Sequence, residues 1–263
     1  MRRVPAPLGA TLAAVVLALV AGCGGGSAEV DDTSAGGGAT STGVDRPTGP
    51  PEATSPDAAT GTPDTTGTTS QVARTGTELA IFTTPGGEQT MVLPATTDFG
   101  SPRALLIVAE NGDWLQVALP VRPNGSAGWV RRADVEVRTL DEAVVVDLAA
   151  RTLTLLDGGA EVLTTPVAVG TADNPTPSGT FYVVDKLDTG DPGGPYGQFA
   201  FGLSAHSDTL TEFAGGAGQV GIHGTNEPSS IGQAVSHGCV RVPGDVARRL
   251  AETVNLGTPV VIS

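Results

Sequence analysis

The spacing of apolar residues divides the chain into four stretches. Leu8 to Val20 is an apolar run of about a dozen residues behind the basic Met1-Arg2-Arg3. It is too short to span a membrane, and the small residues Ala21 and Gly22 follow, so residues 1–22 read as an export signal. Large apolar residues then nearly vanish from Cys23 to Gln71. STGVDRPTGPPEATSPDAATGTPDTTGTTS cannot bury enough surface to offset chain entropy, and residues 23–71 read as a disordered tether. About 48 flexible residues have a root-mean-square span of roughly 40 Å.

Apolar runs return near Val72. LLIVAE and WLQVALP flank Asn111-Gly112-Asp113, a hairpin signal. Along WLQVALP, Leu115, Val117 and Leu119 alternate with Trp114, Gln116 and Ala118, the period of a half-buried strand. GWVRRADVEV reads as a closing strand. Short strands at close spacing predict a small barrel over residues 72–138.

In the last stretch, residues 139–263, AVVVDLAARTLTLLDGGAEVLTTPVAVG reads as three strands with turns at Ala149-Ala150-Arg151 and Asp157-Gly158-Gly159. Further strands are expected at Thr180 to Val184, Gln219 to His223 and Pro259 to Ile262, with Gly194 to Gly202 as a loop. Val246, Leu250 and Val254 recur at helical spacing, so a helix capped by Asp245 is predicted there. The fold class expected is mainly β with one clear C-terminal helix.

A formal charge of −14 argues against a nucleic-acid partner, which needs a basic stripe. The chain has two cysteines, Cys23 and Cys239. In an exported protein a thiol without a partner is a candidate reactive group, although a lone cysteine is often simply a small buried residue. A free thiol is little ionised at neutral pH and needs a base nearby to act as a nucleophile. His223 and His237 are close in sequence. In extended backbone His237 would share a face with Cys239, and Gly238 can bend that path by taking φ > 0. A tight turn aiming the amides of His237, Gly238 and Cys239 inward would make an oxyanion hole. A backbone carbonyl could fix the tautomer of His223. His206, in GLSAHSD, reads as a loop residue. Singly, each of these residues has a structural reading as well, and Arg241 is equally suited to a surface ion pair. A zinc site from His206, His223, His237 and Cys239 is a rival, but the spacing does not follow common zinc motifs.

Three resemblances narrow the choice. Val20-Ala21-Gly22-Cys23 resembles a bacterial lipobox, which implies cleavage before Cys23 and a lipid on its sulfur. GDWLQVALPVRPNGSAGWV resembles bacterial SH3-like domains. IHGTNEPSSIGQAVSHGCVR, with PTPSGTF and GPYGQFAFGLSAHSD upstream, resembles the L,D-transpeptidase (YkuD-like) catalytic domain from about Leu140 to Ser263. That resemblance implies Cys239 as nucleophile and His223 as general base, oriented by the Gly224 carbonyl. It implies an oxyanion hole from the amides of His237, Gly238 and Cys239, with Ser236 and Arg241 supporting the loop or touching substrate and Tyr196 lining the groove. Some members carry Asn where Arg241 stands. The implied reaction is acyl transfer between peptidoglycan stem peptides, giving 3→3 cross-links with no cofactor or metal, and acylation by carbapenems is expected. The protein would sit on the outer face of the membrane, anchored through Cys23 and acting in the cell wall. Two other outcomes are hydrolysis of the same thioester, making an L,D-carboxypeptidase, and a non-catalytic wall-binding lipoprotein.

Overall fold

The structure, a computed structural model, describes residues 69–212 and 217–263. The expected signal peptide, Cys23 and the tether up to residue 68 lie outside the described residues.

The first sheet is built from β1 (Ser70–Arg74), β2 (Leu79–Phe82), β3 (Gln89–Leu93), β4 (Ala104–Asn111), β5 (Trp114–Ala118), β6 (Ala127–Arg131) and β7 (Glu136–Leu140). Their order is β3-β2-β6-β5-β4-β1-β7, antiparallel throughout. The hairpin expected at Asn111-Gly112-Asp113 is present, with Asn111 opposite Trp114 across a two-residue turn. Leu115, Val117 and Leu119 are buried, as their alternation predicts. Two expectations need correction. Strand β1 starts at Ser70, inside the expected tether, because β4 and β7 pair with it on either side. GWVRRADVEV is not one strand but β6 and β7, separated by a 3-10 turn at Arg132–Asp134.

The second sheet contains β8 (Glu142–Asp147), β9 (Thr152–Asp157) and β10 (Ala160–Pro166). The two-residue strand β11 (Val169–Gly170) lies outside it. The sheet continues with β12 (Gly179–Asp188), β13 (Phe199–His206) and β14 (Gln219–His223). Then come β15 (Ala234–Ser236), β16 (Val240–Arg241), the helix α1 (Gly244–Thr253) and β17 (Pro259–Ile262). The sheet order is β10-β9-β8-β17-β12-β13-β14-β16, and β11 pairs in parallel with β15. Helix α1 begins one residue before Asp245, with Pro243 at the N-cap, so Asp245 sits in the first turn, where its charge suits the helix dipole. The predicted loop at Gly194 to Gly202 becomes β13 from Phe199 onward, paired with β12 and β14. His206 is therefore the last residue of a strand and not a loop residue.

Strand β12 belongs to both cores. Alternate side chains leave a strand on opposite faces. Phe181 and Val183 join the core of the second sheet and α1, and Tyr182 and Val184 join the core of the first sheet. Tyr182 is fully buried, and its hydroxyl donates to the Ala118 carbonyl at the end of β5. Val72 of β1 presses so closely on Gly257, at φ +95°, that a Cβ there would stand 2.4 Å from Val72 Cγ1. The buried carboxylate of Glu142 accepts from the backbone and side-chain N–H groups of Asn255 and from Thr258 Oγ1, tying β8 to the turn before β17.

Shared burial predicts that both sheets unfold in one cooperative transition. Tyr182→Ala should lower the unfolding free energy by about 3–5 kcal/mol. Urea denaturation followed separately by Trp fluorescence, which reports the first sheet through Trp114 and Trp129, and by far-ultraviolet dichroism would show it as one coincident midpoint shift.

Candidate active site

Strands β14 and β16 run parallel, with Ile222 opposite Val240 and His223 opposite Arg241. Ile222 and Val240 point into the core. By the period of two, His223, Arg241 and Cys239, one residue before β16, face the other way. There they line a cavity of about 280 Å³ with Tyr196, Ser236 and His237. Six of the eight residues that the transpeptidase resemblance assigns to the site therefore share one pocket. The other two, Gly224 and Gly238, shape the backbone behind it.

Gly238 has φ +113°, a conformation that side chains disfavour, so the turn before the thiol needs glycine. A Cβ there would stand 3.4 Å from the Pro175 carbonyl, which places the PTPSGTF segment directly behind the turn. Ser236 staples the turn. Its hydroxyl donates to the Cys239 carbonyl at 2.6 Å and accepts the Gly238 N–H at 3.1 Å. The Gly238 amide is thus engaged inside the loop by Ser236 Oγ, and it is not free to serve as one of the three expected oxyanion donors. Behind Ser236, the Thr171 N–H donates to its carbonyl.

His223 is buried, 6% exposed, and its Nδ1 lies 2.6 Å from the Gly224 carbonyl. A carbonyl only accepts, so Nδ1 carries the proton and Nε2 keeps a lone pair. Burial lowers the pKa of this imidazole to about 4, with the Gly224 bond opposing and the Arg241 charge assisting. At neutral pH His223 is therefore an unprotonated base. Burial raises the pKa of the half-buried Cys239 thiol, against weaker lowering by the Gly221 backbone and Arg241. Both shifts favour the uncharged forms, a thiol and a neutral imidazole.

Tyr196 packs edge-on against His223, ring centroids 4.8 Å apart. Two glycines permit this: a Cβ on Gly197 would lie 2.9 Å from Gly224 Cα, so the two backbones cross without side chains between them. The Tyr196 hydroxyl has a raised pKa, first from burial and then from the neighbouring Cys239. Arg241 lines the pocket and pairs with Glu227 at 2.8 Å.

The rest of the wall comes from Pro195, Ser207, Leu210 and Gly218 to Val220. Pro195 and Ser207 fall in the GPYGQFAFGLSAHSD stretch and Gln219 and Val220 in a predicted strand, but none of the wall residues stands out singly, because a pocket wall needs shape more than a particular side chain. Gly221 was missed too, although its place opposite Cys239 follows once the β14–β16 register is known. His206 does not line the pocket. Among the described residues, no three His, Cys, Asp or Glu side chains are grouped so as to hold a metal ion.

Residues 141–262 match the family model of the YkuD L,D-transpeptidase catalytic domain. The YkuD protein of Bacillus subtilis is 38% identical over 125 residues, covering 48% of this chain and 68% of that protein. Its counterpart in Bacillus licheniformis is 39% identical over 125 residues, covering 48% and 67%. Among solved structures, the catalytic domain of an E. faecium L,D-transpeptidase aligns at 25% identity with a TM-score of 0.34, covering 47% of this chain and 97% of that one. The chain therefore belongs to the YkuD family of L,D-transpeptidase catalytic domains.

Proposed function

We propose that this protein is a peptidoglycan L,D-transpeptidase that forms 3→3 cross-links through a thioester on Cys239. The observation that carries the reading is the single pocket lined by the Cys239 thiol and by His223, whose Nδ1–H is held by the Gly224 carbonyl. His223 Nε2 takes the thiol proton as Sγ attacks the carbonyl of the third residue of a donor stem. Backbone amides of the turn at residues 237–239 hold the oxyanion. The C–N bond to the terminal D-alanine then breaks, and the imidazolium returns the proton to the departing amine. A side-chain amine of a second stem attacks the thioester, His223 accepts its proton, and the C–S bond breaks to give the new amide. The thiolate is reprotonated from His223. The cleaved amide bond supplies the driving force, so no nucleotide is consumed.

The surrounding organisation follows the same reading. Residues 72–138 act as an SH3-like module, and the protein is exported and anchored on the outer face of the membrane by a lipid on Cys23. The tether lets the catalytic unit reach wall above the membrane.

Intact-mass spectrometry after incubation with a carbapenem tests the nucleophile. One adduct per chain is expected, absent in Cys239→Ala; folded wild-type protein that stays unmodified would overturn the assignment. Product analysis on paired tetrapeptide stems separates cross-linking from hydrolysis, with the dimer expected as the main product. Replacing the base, His223→Gln, should lower the acylation rate by about 10²–10⁴-fold.

The two shifted pKa values set the pH profile. The reactive arrangement needs His223 unprotonated with one proton on sulfur. Acylation should therefore hold a plateau from above about pH 5, fall only as pH approaches the His223 pKa of about 4, and keep its upper limb above the usual thiol range. An acid limb near the ordinary histidine value of about 6.5 would contradict the buried, neutral base.

A further inference from the structure

We propose that Arg122, on the loop between β5 and β6 of the first sheet, is a positioning residue for the pocket: it fixes the wall at residues 207–210 and 217–219 against which the donor stem lies. This rests on the transpeptidase reading of the Cys239 pocket and gives the first sheet a part in catalysis.

Ser207, Leu210 and Gly218 line the pocket with Cys239; Ser207 and Gly218 are buried and Leu210 is half-buried, while Asp208 and Thr209 between them are exposed. Hydrogen bonds set their position. The Arg122 guanidinium donates through Nη1 to the Ser207 carbonyl at 2.6 Å. Through Nη2 it donates to the Leu210 and Ala217 carbonyls, each at 3.1 Å. One rigid planar group thus binds both ends of the wall, a task suited to the arginine fork and not to a lysine ammonium. Beside it, Asn124 makes a reciprocal pair with the His206 backbone, donating to its carbonyl at 2.8 Å and accepting its N–H at 2.9 Å.

The fit is tight where the ends meet. Gly218 has φ +68°, and a Cβ there would lie 1.9 Å from the Leu210 carbonyl oxygen and 2.9 Å from Arg122 Nη2. The Ser207 N–H donates to the Gly218 carbonyl, and Ser207 Oγ accepts from the Leu210 N–H at 3.0 Å. These local bonds shape the turn, and the guanidinium ties it to the first sheet. Arg122 does not itself line the pocket, so it acts through the wall. Removing it should loosen the surface that aligns the donor carbonyl and leave the sulfur and imidazole in place.

The test uses the full chain with Arg122→Ala and Arg122→Lys. In Arg122→Ala, amide hydrogen exchange at Ser207 to Leu210 should rise about tenfold or more, as expected for losing charge-assisted bonds. KM for a tetrapeptide donor stem should rise about tenfold, with kcat changed less than about threefold. Alkylation of Cys239 by iodoacetamide should keep its wild-type rate and pH profile, because that small reagent does not use the wall. Arg122→Lys should recover only part of both effects, and it carries the same test if the alanine variant does not fold. Unchanged exchange at 207–210 would overturn the proposal. So would faster exchange with an unchanged KM, or an equal loss of stem turnover and alkylation. A wild-type chain that alkylates at Cys239 but turns over no stem would instead sink the transpeptidase reading, and the exchange data would then judge the Arg122 contact by itself.

Discussion

The site depends on two backbone strands lying parallel in one register. With Ile222 opposite Val240, both apolar side chains enter the core, and the next positions, His223 and Arg241, must face the pocket with Cys239. A slip of one residue would exchange the faces, burying a cation and an imidazole among aliphatic side chains and exposing Ile222 and Val240. The cost of burying an unpaired charge is far larger than any local preference of these short strands. Core packing and the geometry of the candidate site are thus set by the same constraint.

Around that register the protein removes side chains where backbones must meet. Gly197 and Gly224 cross closely enough to seat Tyr196 on His223, and Gly238 turns the chain against Pro175. Ser236 then binds the Gly238 N–H and the Cys239 carbonyl, so the thiol is presented by a braced loop. At a larger scale β12 does similar work. Its alternating faces supply Phe181 and Val183 to one core and Tyr182 and Val184 to the other, which makes the two sheets mechanically dependent on a single strand.

Much of this was legible in the sequence, for physical reasons that also explain the gaps. The alternation in WLQVALP and the Asn-Gly-Asp turn are local signals, and local signals placed β4 and β5. The strands at Gln219–His223 and Pro259–Ile262 were found because they are short and apolar with glycine or proline at their margins. The start of β13 was missed. FAFGLSAH contains Gly202 and Ser204 and no β-branched residue, and its strand state comes from partners on both sides. Gly202 is needed there because a Cβ would stand 2.8 Å from Gln219 Nε2 and 3.0 Å from Asp185 Oδ2, neither of which is near in sequence. The same division holds in the site. Cys239, His223 and the intervening glycines lie in one short signature, but Arg122 reaches the pocket wall from 85 residues before Ser207, with nothing local to mark it.

The burial of the sulfur has one more consequence. Peroxides and disulfides react with thiolates, and their rates follow the ionised fraction. A Cys239 whose burial raises its pKa, beside a base too weakly basic to hold its proton at rest, offers oxidants little to attack. In the proposed reaction, the burial that shapes the pocket would also leave the sulfur little ionised between turnovers, and so a poor target for oxidants.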